Sequence, residues 1–162
     1  MKYIRIDINT DFKCRHCGSY VSTTRPLAGV GNRNHCPYCL WSRHLDLFEA
    51  GDRLAACKAP MRPVGLTLKH SRNKYARAAS GELMLVHLCT DCSRISINRT
   101  AADDISEAIM EVFEDSMTES DRLWQQTLEG GIDLLGDESC DIVYRQLYGQ
   151  AHRSVLEAVP TY

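Results

Sequence analysis

Three Cys-x-x-Cys pairs fall within one short chain: Cys14 and Cys17, Cys36 and Cys39, Cys89 and Cys92. Two thiolates at this spacing sit on one tight turn, and two such turns complete a tetrahedral zinc site. Phe12-Lys13-Cys14-Arg15-His16-Cys17-Gly18 is the plainest of these knuckles. A glycine after the second cysteine permits positive φ, which turns backbone N–H groups toward the sulfurs. Between Cys17 and Cys36 lie 18 residues, a separation that suits a zinc ribbon, so Cys14, Cys17, Cys36 and Cys39 form the first expected site. The third knuckle needs partners. Cys57 is the natural third ligand, which leaves one position for a histidine. His44, thirteen residues before Cys57, is the preferred choice. His87 stays open because on a strand it shares a face with Cys89, and His35, beside Cys36, is a further alternative. Two zinc ions are the expected cofactors, the second held by His44, Cys57, Cys89 and Cys92.

Two rival chemistries share these letters. A glutaredoxin-type redox centre also reads Cys-Pro-Tyr-Cys, but it needs a buried apolar strand before it. Here Gly31-Asn32-Arg33-Asn34-His35 precedes Cys36 and is polar. Zinc deaminases need His-x-Glu followed by Pro-Cys-x-x-Cys, whereas this chain has Cys36-Pro37 and no His-x-Glu. Cys140 has no metal-spaced neighbour and reads as a small buried hydrophobe.

The net charge of -2 hides a division within the 162 residues. Residues 1–100 carry 16 Lys+Arg against 7 Asp+Glu, and residues 101–162 carry 3 Arg against 14 Asp+Glu. The basic part contains seven of the eight cysteines. Such a split marks two regions with different tasks, a zinc-ribbon-like domain over 1–100 and an acidic helical region over 101–162. The alternating N-terminus is not a signal peptide, and no apolar run is long enough for a membrane span. The cytoplasm is therefore the expected compartment, where paired cysteines read as metal ligands before disulfides.

The expected fold class is α+β, a small antiparallel zinc-ribbon-like β domain with two zinc sites, followed by helices. Residues 3–8 alternate as a strand, and residues 19–34 read as a strand and then an exposed loop. Leu66 and Leu68, and then Leu83 to Leu88, read as strands flanking a basic loop over His70 to Ser80. From Thr100 the period becomes helical, with Ile105, Ile109, Val112, Phe113 and Met117 on one stripe. Ser120 can cap a second helix ended by Gly130-Gly131. A third is expected from about Ser139 to Ala158 through Val143, Leu147, Ala151, Val155 and Leu156. Each stripe is read as core.

With the central stretch and its flanks assembled, the chain resembles the bacterial RNHCP domain family, over about residues 10–105. The likeness rests on Arg33-Asn34-His35-Cys36-Pro37, on Leu40, Ser42, His44 and Asp46, and on Gly51-Asp52-Arg53. It continues through Cys57, Met61, Pro63 and the third knuckle to Asn98-Arg99 and Asp103-Asp104. Ala50 and Ser93 stand where the family usually has Pro and Gly. The resemblance implies a zinc-bearing module and names no reaction.

Nucleic acid is the first expected partner. Arginines flank the knuckles, and Arg33, Arg43, Arg53 and Arg99 with Trp41 as a stacking face are the candidate contacts. Arg33 and Arg53 have a second reading, as partners of Asp46 and Asp52. RNA is favoured over DNA because no recognition helix accompanies the ribbon, and a ribosomal or translation-linked role follows only from that preference. A protein adaptor docking through the acidic helices is the second reading. A zinc enzyme is the third, opposed by two ligand sets that leave no open position.

Overall fold

Leu83-Met84-Leu85-Val86 is apolar at successive positions, so a strand built from it needs cover on both faces. In the computed structural model, which describes residues 10–70 and 81–149, this run lies in a four-stranded antiparallel sheet. The spatial order is β3 (Ser42–Arg43), β4 (Pro60–Lys69), β5 (Glu82–Cys89) and β6 (Ile95–Arg99). A separate antiparallel hairpin joins β1 (Phe12–Lys13) to β2 (Tyr20–Val21). The helices are α1 (Arg25–Ala28), α2 (Ser106–Ser116), α3 (Asp121–Glu129) and α4 (Cys140–Tyr148). The fold class is α+β, as expected. The expected strand over 3–8 and most of the loop over 70–80 lie outside the described residues.

Leu66 pairs with Leu85 and Leu68 with Leu83, which places these four on one face of the sheet. Leu40, Ile109, Phe113 and Val143 pack against them, so α2 and α4 cover that face. Val86 points the other way and packs with Val64, Leu123 and Leu134, under α3 and the segment after it. Full burial of a side chain such as Phe113 contributes roughly 1.5–3 kcal/mol. The helices and the sheet thus share their cores, although composition divides them at residue 100. Cys140 packs against the first cluster as a small hydrophobe.

The helix ends follow local chemistry. Ile105 precedes α2 and donates its N–H to the Pro37 carbonyl at 3.1 Å, fixing the helix start to the central knuckle. Ser120 caps α3 by accepting from the Leu123 N–H at 3.3 Å, and Gly130 follows its last residue, as the sequence indicated. The third helix is shorter than expected. It stops at Tyr148 because Gly149 takes a φ of 68° and returns its N–H to the Arg145 carbonyl at 2.8 Å. Ala151, Val155 and Leu156 lie outside the described residues. The stretch 19–34 also departs from a strand and an exposed loop. Pro26 starts the short α1, Gly29 ends it with a φ of 70°, and Arg33, Asn34 and His35 are buried.

Candidate metal centres

Each Cys-x-x-Cys forms the same turn. The residue after the second cysteine returns its N–H to the carbonyl of the first, at 3.0 Å for Gly18 to Cys14, 2.9 Å for Leu40 to Cys36 and 3.2 Å for Ser93 to Cys89. That residue has φ of 78° at Gly18, 60° at Leu40 and 58° at Ser93. Two of the three turns thus hold non-glycine residues in the left-handed region. Leu40 is fully buried in the core, which supplies packing to offset the strain.

Turn geometry brings the sulfurs together. Cys14 Sγ lies 3.6 Å from Cys39 Sγ, and Cys17 Sγ lies 3.6 Å from Cys36 Sγ. In the second cluster Cys57 and Cys89 are 3.6 Å apart, and His44 Nδ1 is 3.4 Å from Cys92 Sγ. Within each set of four, all ligand atoms lie within 4.8 Å of one another. A tetrahedron with Zn–S near about 2.3 Å has edges of about 3.8 Å, so both sets fit zinc. Hydrogen bonding to the Ser19 hydroxyl lowers the Cys17 thiol to about 6, whereas burial pushes Cys36 up to about 11 and raises Cys39 as well. A zinc ion supplies the charge that lets such sulfurs ionise together, because a coordinating thiol loses its proton outright. Purified protein is expected to contain close to two zinc ions per chain by elemental analysis. A value near one removes the second site.

The histidine alternatives resolve by position. His87 is fully buried, with Nε2 on the Leu40 carbonyl at 2.7 Å and Nδ1 facing the Asn98 amide at 2.9 Å. Burial lowers its pKa to about 3, so it is a neutral core histidine. His35 turns to Asp104, with Nε2 at 2.7 Å from the carboxylate. His44 occupies the ligand position, and it reveals a turn that sequence reasoning did not see. Its N–H bonds to the Ala59 carbonyl at 2.9 Å, the counterpart of Cys14 N–H to Ser19 at 2.8 Å. Lys58, after Cys57, has φ of 54°. His44 and Cys57 are therefore a fourth knuckle in which a long insertion separates the two ligands. A lone cysteine followed two residues on by a strand was the available signal.

The remaining letters of the central stretch are structural. Arg33 is 0% exposed and reaches Asp103 at 2.8 Å and Asp104 at 3.2 Å. Its Nε donates to the His35 carbonyl at 3.1 Å. Asn34 donates to Asp46 at 2.9 Å and accepts from Arg53. Arg33 is thus corrected from a nucleic-acid contact to a buried clamp, because no solvent-borne ligand reaches its guanidinium. Arg53 pairs with Asp46 at 3.6 Å and serves the insertion loop.

Arg43 and Arg99 remain beside open space. Together with Arg25, Lys69 and Arg94 they line a cleft of about 580 Å³ next to the second site, floored by Met61, Met84, Ile95 and Ile97. Asp46 and Glu49 are the carboxylates on its walls, so cations outnumber anions by five to two. Arg99 pairs with Glu82 at 2.6 Å in an exposed setting. The Arg43 guanidinium lies 3.5 Å over the Phe12 ring. Burial first, and then the charges of Arg53 and Arg15, lower its pKa to about 10, which leaves it cationic at neutral pH. Trp41 stacks on His16 with ring centroids 4.2 Å apart, so that histidine covers one of its faces. Among the described residues no helix is long and apolar enough to cross a membrane.

No curated protein and no solved structure matches this chain. The model of the RNHCP domain matches residues 9–110, a span that contains both ligand sets, the buried Arg33 clamp and the acidic pair it grips, and the chain belongs to the RNHCP domain family.

Proposed function

We propose that this chain is a non-catalytic zinc-held module that binds single-stranded nucleic acid, RNA in preference to DNA, along the basic cleft. The observation that carries this reading is the gathering of Arg25, Arg43, Lys69, Arg94 and Arg99 around one concave surface. A polyanion neutralises such a set and releases counterions on binding. Both metal clusters have four protein ligands, which favours structural over catalytic zinc. The RNA preference rests on the helices. α1 has only four residues, and the exposed side of α2 carries Glu107, Glu111 and Glu114, which repel a phosphate backbone. An adaptor role through the acidic helices is the second reading. It is left with their polar faces, since Ile109, Phe113, Leu123 and Val143 are core.

The test is a salt titration of the full chain against a short single-stranded oligoribonucleotide. Each phosphate contact is expected to add roughly -0.7 to the slope of log affinity against log salt. Lys69→Glu and Arg99→Glu should each flatten that slope by about one contact. No binding at about 50 mM salt, beyond that of a neutral control protein, overturns the reading and leaves the adaptor role.

A further inference from the structure

The insertion inside the fourth knuckle carries the largest exposed apolar side chain of the cleft. Phe48 is 79% exposed and lies on its wall. Loops normally hide such a ring or omit it, and its backbone here is unusually well fixed. The Asp52 carboxylate accepts the N–H groups of Leu47 at 2.9 Å, Phe48 at 2.8 Å, Glu49 at 3.0 Å and Leu54 at 3.0 Å. Those bonds hold Asp52 ionised, well below the usual carboxylate range. Arg94, two residues past the third knuckle, donates to the Leu47 carbonyl, and Asp46 accepts the Arg53 N–H at 3.1 Å. Both feet of the insertion, His44 and Cys57, belong to the second ligand set. The ring is therefore presented from a loop pinned at its base, its middle and its side.

Surface charge identifies what the ring meets. A peptide or lipid tail would cover Phe48 but would have no use for three excess cations around it. A nucleobase offers a π-face to the phenyl ring, and its own phosphates answer Arg94 and Arg99. Preorganisation matters here because a loop already fixed loses little entropy on binding.

We infer that residues 45–56 form a base-recognition loop, in which an unpaired nucleobase stacks on Phe48 while the adjoining phosphates lie against Arg94 and Arg99. This rests on the nucleic-acid reading above and assigns its aromatic contact to Phe48 rather than to Trp41, one of whose faces His16 occupies. The ring marks the stacking position, and the arginines mark the path of the strand. The second metal set, by clamping both ends of the loop, determines where that position stands.

The experiment uses the full-length, zinc-replete chain and a short oligoribonucleotide carrying 2-aminopurine, with the deoxy form as a second arm. Stacking on Phe48 quenches the 2-aminopurine fluorescence on binding. Phe48→Ala should abolish the quench and lower affinity about tenfold or more, while the salt slope stays that of the parent chain. Phe48→Trp should restore both. Zinc content and the melting transition serve as folding controls, and an exposed ring costs them little. Unchanged quench and affinity in Phe48→Ala overturn the inference and leave nucleic-acid binding standing. Failure of the parent chain to bind either oligonucleotide overturns both and leaves the free edge of β6 to a peptide strand.

Discussion

Replacing Cys36 with serine is expected to unfold the ribbon and release its metal, as chelation does for the whole chain. Structural zinc sites in peptides contribute roughly 10–16 kcal/mol to folding, which matches or exceeds the roughly 5–15 kcal/mol that holds a typical domain together. Cys36 is fully buried, and the Leu40 that follows its knuckle belongs to the main core, so loss of the site reaches the sheet. Cys140→Ser is the matched control. It removes a sulfur packed against the same core but outside both ligand sets, and should cost no more than about 1–2 kcal/mol. Thermal melts read together with a colorimetric zinc-release assay compare the two. Equal damage would give Cys140 a role that its position does not explain.

The second large effect is expected at Arg33. Arg33→Ala leaves Asp104, whose side chain is 1% exposed, without the cation that compensates it. Breaking a buried ion pair from one side typically costs about 3–5 kcal/mol. The loss should appear as a lower urea midpoint with zinc content retained in native buffer. Arg99→Ala, from an exposed pair, should shift the midpoint by less than about 1 kcal/mol. If Arg33→Ala keeps its midpoint and instead weakens binding to RNA, the guanidinium faces solvent and the clamp is wrong. Deleting the acidic helices is a poor way to expose the basic surface. It would bare Leu66 and Leu85 and unfold the sheet.

These contrasts show which parts of the molecule are readable in its letters. Knuckles are local, so spacing alone delivers seven cysteines, and the reach of a loop suffices to prefer His44. Ser120 and Gly130 mark α3 because capping is also local. Gly149 carried the same kind of stop signal, but the apolar positions beyond it resembled a continuing stripe. Arg33 was misread for a different reason. An arginine beside a knuckle looks the same in sequence whether it faces solvent or a carboxylate 70 residues away. Phe48 gave no signal, since one apolar residue among turn formers fits a small buried contact as well as an exposed platform. Only the accounting of backbone N–H groups around Asp52 distinguishes them.

The ligand sets do not cross along the chain, and this orders their assembly during synthesis. The first set closes over 25 residues, from Cys14 to Cys39, and is complete before any of the second set has been made. The second spans 48 residues from His44 to Cys92, and waits for both long strands. Closing the longer span costs only about 0.6 kcal/mol more. At about 5–20 residues per second the delay between them is a matter of seconds, because translation has to supply the intervening chain. Arg33 waits longer still, since its carboxylates arrive only with Asp103 and Asp104. A nascent chain halted between residues 40 and 100 would therefore hold one metal beside an uncompensated arginine. Its ribbon would close around that charge only when the acidic pair left the ribosome.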